Sequence, residues 1–269
     1  RRRRIPFVAY VGTAHSLDSN FKSKVMNALF AAGTLRIYKK NPVLAKTSAA
    51  KEELRQLGVP HAVIAPVGLD TAVLKKNIPA DEKMRLRKEH GFEADDVILC
   101  NVSRLSWEKR PLELIDLFLQ VKGKKKFKLI IVGNGPLEEE LNEKIRKNGL
   151  EKEVKIYPNV PYEKMWEIYE MSDYYLNMNK GEIFGMAIME AVYYKTSVAA
   201  IRALGPSVTL KDMKGHKLCE NDDEMAEWIT GPYPSEKDLQ ESSEKMASTF
   251  TWDRCADAFL QASSEKSSR

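Results

Sequence analysis

Short runs of apolar residues alternate with amphipathic stretches along most of the chain. Residues 5–12 (IPFVAYVG), 43–48 (VLAKTS), 61–68 (HAVIAPVG), 97–103 (VILCNVS), 126–133 (KFKLIIVG), 154–160 (VKIYPNV), 174–179 (YYLNMN) and 196–201 (TSVAAI) read as buried strands. Between them, residues 48–58, 80–91, 110–122, 136–149, 162–172 and 186–195 place apolar residues at helical spacing. Several of these stretches start behind Pro, Ser or Asp, or end in Gly, as helix capping requires. Strand and helix taking turns predicts an α/β fold with parallel sheets covered by helices on both faces.

The pattern breaks at residues 65–81, APVGLDTAVLKKNIPAD, where one α/β unit gives way to a charged helix. Residues 66–70 form the expected hinge. Ahead of the break only about two strand–helix units remain, too few for a doubly wound domain of ~100 residues. The expected division is therefore 1–75 as the later part of a first domain, with its opening part missing. Residues 76–250 make a complete second domain, and 251–269 a closing helix (FTWDRCADAFLQAS) that returns to the first domain and then frays.

Composition narrows the function. With 269 residues and 43% hydrophobic content, the chain can bury a substantial core. No apolar run approaches the ~18 residues a membrane span needs. The opening RRRRIPFVAYVG reads as an arginine cluster before a strand, not as a leader. Three cysteines without C-x-x-C spacing fit a reducing cytoplasm and argue against zinc or a disulfide framework. A net charge of +5 suits an anionic partner such as a nucleotide or lipid headgroups, although 38 acidic residues dilute it.

The stretch GEIFGMAIMEA places Glu182 and Glu190 eight positions apart around a Phe-Gly turn. A continuous helix would separate them by about 12 Å, too far for paired acid–base work on a glycosidic bond. No histidine or acidic cluster supports a metal there. With the helix starting near Gly185, the pair would line one pocket at different depths and hold two parts of one ligand. A helix cap and a solvated face residue are the alternative. Arg104 and Lys109, in NVSRLSWEKRP after a strand, offer a guanidinium fork and a point charge suited to a diphosphate. Gly133 and Gly135, in LIIVGNGPLEEEL, lack the third glycine of a dinucleotide fingerprint, and the acidic turn at 138–140 would repel a phosphate. They are expected to let the backbone turn beside a ligand. Gly185 opens a helix whose free amides favour an anion.

In order, SRLSWEK, IIVGNGPL and NVPYEKMWEIYEMSDYYLNMNKGEIFGMAIMEA resemble the GT-B retaining glycosyltransferases, specifically glycosyltransferase family 4, over residues 5–260. The resemblance implies a Rossmann-like second domain and an incomplete first one. It implies that Arg104 and Lys109 hold a donor diphosphate, with the Gly185 and Met186 amides. Glu190 would bind the ribose hydroxyls, and Glu182 the transferred sugar. Gly133, Gly135, Asn159, Val160 and Phe184 complete the implied donor site, with the loop at 159–162 against the nucleobase. His15, in YVGTAHSLDS, would face the sugar and join Glu182 in catalysis.

The implied reaction moves a sugar, with retention and without a metal or other cofactor, from a UDP- or GDP-linked donor. The acceptor would be a glycan, a lipid-linked molecule or another compound, in cell-surface polysaccharide or glycolipid synthesis. No nucleic acid is expected. The implied location is the cytoplasm, with peripheral contact at the inner membrane face as an extension. A non-catalytic nucleotide-sugar binding module and a GT-B sugar-nucleotide epimerase are the alternatives. Two departures bear on sugar preference: Ile183 replaces the first glycine of E-G-F-G, and Lys195 and Ser197 stand where glycine and proline are common. Elsewhere, Met165, Ile168, Tyr169 and Met171 are expected in the core. The lysine run at 122–128 is read as a solvated turn, and His61, His90 and His216 as partnerless.

Overall fold

The computed structural model describes residues 8–12, 21–71, 73–75, 78–79 and 81–264. The chain separates into two compact units, one of residues 1–70 with 250–269 and the other of 71–249.

The first unit contains β1 (Ala9–Val11), α1 (Phe21–Tyr38), β2 (Val43–Ala45), α2 (Ser48–Gln56) and β3 (Val63–Ile64). Its three strands are parallel, in the order β1-β2-β3. Thr47 caps α2 by accepting the Ala50 N–H at 3.0 Å, and Ala50 and Leu54 turn inward.

The second unit runs through α3 (Glu82–Glu89), β4 (Val97–Val102), α4 (Pro111–Val121), β5 (Phe127–Val132), α5 (Glu138–Lys147), β6 (Val154–Tyr157), α6 (Met165–Met171), β7 (Tyr174–Asn177), α7 (Met186–Tyr193), β8 (Ser197–Ile201), α8 (Leu204–Thr209), β9 (Lys217–Cys219), α9 (Asp222–Thr230) and α10 (Glu236–Thr249). Its six strands are all parallel, in the order β6-β5-β4-β7-β8-β9. β7 and β8 are buried at every position and β4 at its four central ones, as strands covered on both faces must be. One continuous core gathers Leu99, Ile131, Leu114, Phe118, Leu176 and Ile229 from sheet and helices.

The last helix, α11 (Trp252–Ser264), belongs to the first unit, where Cys255, Ala258 and Ala262 pack on Leu44 and Ala65. The same unit is closed by backbone pairing of two segments distant in sequence: the Leu69 N–H donates to Phe250 O at 2.9 Å. A side chain at Gly68 would lie 2.2 Å from the Trp252 nitrogen, so only glycine allows this approach. All three cysteines are buried thiols. Among the described residues, no helix is long and apolar enough to cross a membrane.

Candidate active site

The order of the second sheet reverses beside β4. From it, β5 and β6 follow on one side, while β7, β8 and β9 lie on the other. Loops leaving the carboxyl ends of β4 and β7 therefore diverge, which opens a crevice where open parallel sheets hold their ligands. Lys109 and Glu182 meet there. Lys109 Nζ donates to Glu182 Oε2 at 2.9 Å, with the two side chains 25% and 16% exposed.

Each partner is held by its own loop. After β4, Leu105 is fully buried, and its N–H donates to Asn134 O at 2.8 Å. A 3-10 turn, Trp107–Lys109, follows, and Arg110 then takes a left-handed conformation (φ 56°). The Arg110 guanidinium holds that bend by forking onto Asp222 at 2.8 and 3.1 Å and reaching Met178 O at 3.3 Å. After β7, two asparagines curl the chain. Asn177 Oδ1 accepts the Asn179 N–H at 3.0 Å, and Asn179 Oδ1 accepts the Gly181 N–H at 2.9 Å. Asn179 Nδ2 also donates to Glu182 Oε2 at 3.1 Å. From behind, the Gly205 N–H donates to Glu182 O at 2.8 Å. Burial alone would raise the Glu182 carboxyl. The hydrogen bond and charge of Lys109, with Asn179 and Asn177, outweigh it and hold the group below the usual carboxylate range.

Gly185 (φ 85°) forms the N-cap of α7, and no side chain caps that helix. Its first-turn N–H groups and positive dipole end are therefore available to an anion. Five residues later, Glu190 is buried in a different setting. Its carboxylate accepts from Tyr169 Oη at 2.7 Å and from Tyr162 Oη at 3.3 Å. Burial raises its pKa, and the two phenols offset that only in part. The two glutamates thus differ in chemistry: one is ion-paired, the other is held by neutral donors.

Gly133 and Gly135 have a reason within the protein. Side chains there would lie 2.0 Å from Ser103 O and 2.4 Å from Leu105 O, so the close crossing of the loops after β4 and β5 itself requires both. Asn134 extends the same arrangement to the loop after β6, donating to Pro158 O at 3.2 Å and Asn159 Oδ1 at 3.0 Å. Val160 is half-buried next to Asn159, Phe184 is buried and Met186 is exposed. Arg104 is exposed, and its guanidinium has no hydrogen bond or ion pair with another described residue. His15 lies outside the described residues. The structure therefore gathers Lys109, Glu182 and Gly185, and ties the loops of Gly133, Gly135 and Asn159 to that of Arg104.

Sequence reasoning missed Arg110, Asn177 and Asn179 as the residues that shape the loops. Tyr169 is in the core as expected, yet its hydroxyl also serves Glu190. The spacing N-x-N-x-G-E just after a strand is the signal that would have exposed the two asparagines. Three expectations are corrected. His61 Nε2 lies 2.9 Å from Asn41 O, His90 Nδ1 lies 2.9 Å from Tyr157 Oη, and His216 Nδ1 accepts the Val198 N–H at 3.0 Å, so none is partnerless. The lysine run is not wholly solvated, because Lys125 Nζ donates to Ile229 O at 3.1 Å and Gly231 O at 2.7 Å, closing the end of α9. Among the described residues, no three His, Cys, Asp or Glu side chains converge as a metal site would require.

Comparison with known proteins adds the family. Residues 82–246 match the glycosyl transferases group 1. The chain is 26% identical over 288 residues to a D-inositol 3-phosphate glycosyltransferase of Mycobacterium avium (strain 104), covering 94% of this chain and 63% of that protein. It is 34% identical over 112 residues to the amylovoran biosynthesis glycosyltransferase AmsD of Erwinia amylovora, 41% of this chain and 31% of that protein. The chain thus spans about three fifths of the length of its longest-matching curated relatives. Among solved structures, Anabaena Alr3699/HepE in complex with UDP-glucose matches with a TM-score of 0.77 at 19% identity, covering 99% of this chain and 73% of that one. Sucrose-phosphate synthase from Thermosynechococcus elongatus matches with a TM-score of 0.80 at 15% identity, covering 99% and 69%. At such identities these likenesses establish the fold, which is GT-B. Because the family match extends over more than half of the residues and carries the whole Lys109–Glu182 crevice, this chain belongs to the group 1 glycosyl transferases.

Proposed function

We propose that the chain carries the donor-binding part of a retaining glycosyltransferase of the family 4 type. It would move a sugar from a nucleoside-diphosphate donor to a carbohydrate or lipid-linked acceptor, in the synthesis of surface polysaccharide or glycolipid. The observation that carries this reading is the Lys109–Glu182 pair beside the uncapped start of α7 at the sheet's reversal point. An ammonium has three donor positions, so Lys109 can keep Glu182 and still bond a phosphate oxygen. With Arg104 and the α7 amides it would oppose the charge that grows on the departing diphosphate, without a divalent metal. Glu182, held ionised, would accept from hydroxyls of the transferred sugar. Glu190 would accept from the ribose, and the loop at 159–162 would lie against the base. UDP and UDP-glucose in the HepE structures support a uridine donor. His15 is proposed on the sugar side from the sequence resemblance alone.

In the proposed step, the acceptor oxygen bonds to the anomeric carbon on the face from which the diphosphate oxygen leaves. The leaving phosphate takes the acceptor's proton, which retains configuration without an enzymatic nucleophile. Calorimetric titration with UDP, GDP and ADP, with and without EDTA, tests the reading. Saturable binding of one nucleotide, unchanged by EDTA, is the expected result. Absence of binding to all three would overturn the donor site, and loss of binding in EDTA would overturn metal independence.

A further inference from the structure

Glu190 is 7% exposed and forms no ion pair with any described lysine or arginine. The two hydrogen-bond donors to its carboxylate are phenols. The Tyr169 hydroxyl bonds Oε2 at 2.7 Å, and Tyr162 reaches Oε1 at 3.3 Å. The phenols differ in freedom. Tyr169 is 1% exposed, stacks on Tyr194 with centroids 5.9 Å apart at 10°, and leans on Tyr175 at 6.2 Å. Its backbone carbonyl is held as well, by the Thr196 hydroxyl at 2.8 Å. Tyr162, in contrast, is 51% exposed.

We propose that Tyr169 is a positioning residue for Glu190, fixing Oε2 so that Oε1 is the oxygen presented to hydroxyl groups of the donor. This rests on the reading that Glu190 binds the donor. A locked phenol suits the task physically. It holds the carboxylate without neutralising it, whereas a lysine would compete with the ligand for the same charge. Tyr162, on the presented oxygen and at the surface, is the partner that a ligand hydroxyl displaces.

The arrangement also favours the ionised form over the protonated one. Burial pushes the Glu190 carboxyl up, and the bonds from Tyr169 and Tyr162 are what oppose it. The other groups facing this cluster are Tyr175 on β7, Tyr194 after α7, Cys100 on β4, Lys75 and Glu163. Burial pushes Tyr175 and Tyr194 well up, and Cys100 to about 12. Lys75 sits 3.5 Å above the Trp166 ring, and Glu163 is exposed.

The test is UDP affinity by calorimetry at pH 6 and pH 8 for the wild type, Tyr169→Phe, Tyr162→Phe and Glu190→Gln. Ratios of variant to wild type remove the titration of UDP itself. Tyr169→Phe keeps the stacked ring and removes one oxygen, so its carboxyl ionises only at higher pH. We expect a loss of ~10-fold at pH 6 that shrinks to ~2-fold at pH 8. Tyr162→Phe, at an exposed site that does not endanger folding, shifts the profile the same way by less. Equal ratios at both pH values for Tyr169→Phe, or a larger shift from Tyr162→Phe, would overturn the assignment. Glu190→Gln weakens UDP at both pH values. If it does not, the donor reading of Glu190 fails, and the role of Tyr169 with it.

Discussion

Replacing Lys109 by Met would leave the Glu182 carboxylate without its cation while nearly preserving side-chain length. The two side chains are 25% and 16% exposed, so the pair lies between the surface and the deep interior. Exposed pairs contribute at most ~1 kcal/mol, while removing one partner of a fully buried pair costs about 3–5 kcal/mol. Asn179 still donates to the carboxylate in the variant. A loss of about 2 kcal/mol at pH 7 is therefore the expected magnitude. Its pH dependence has a definite sign. In the wild type, Glu182 is held below its unfolded value, so its contribution is present above that value and lost as pH falls through the folded one. In the variant, burial is opposed only by Asn179 and Asn177, so the group moves up from its wild-type value, the ionised carboxylate destabilises the fold at neutral pH and protonation relieves it. The stability gap should be widest at pH 7 and close on going down to pH 3. Urea unfolding followed by circular dichroism at pH 7, 5 and 4 measures it. The double change Lys109→Met with Glu182→Gln should recover part of the loss at pH 7, since no unpaired charge stays behind. A gap independent of pH, or a double variant weaker than the single, would refute the electrostatic account.

Two further outcomes are open to measurement. Lys195 holds φ 60°, a left-handed conformation that glycine adopts freely, so Lys195→Gly should raise stability by ~0.5–1 kcal/mol in thermal unfolding, and a clear loss would show that the lysine side chain matters there. Burial depresses buried His216 to about 4, so the unfolded chain takes up its proton first and stability falls as pH drops from 6.5 towards 4, by up to about 3 kcal/mol. His216→Asn, whose side-chain oxygen can still accept the Val198 N–H, should remove that slope in urea titrations, and an unchanged slope would refute the assignment.

What the sequence revealed followed from the physics of each element. β4, β5, β7 and β8 are compact apolar runs because both faces of a parallel sheet are covered, and that is legible without a structure. Residues 204–249 were harder to read. α8 has Gly205 and Pro206 in its first turn, which look like a loop, and β9 is three residues beginning with a lysine. Long as it is, α10 buries only Leu239, Ser242 and Met246, too sparse a stripe to register. The charged members of the site could be found because their types and spacing carry the chemistry. Arg110 and Tyr169 could not, since their partners at Asp222 and Glu190 are chosen by how the elements pack. Lys195 shows the converse: the backbone conformation suited to glycine is kept even though the side chain is not.

The pairing of Leu69 with Phe250 has a consequence for the order of assembly. A ribosome delivers β1, β2 and β3 early, then all of residues 71–249, and only afterwards the helix that covers Leu44 and Ala65. Strands made before residues 71–249 thus wait for a segment made after them. Residues 71–249, whose sheet needs nothing from either flank, can fold during that wait. Nascent chains arrested just before Phe250 should therefore resist protease throughout the second unit while the first is still cut.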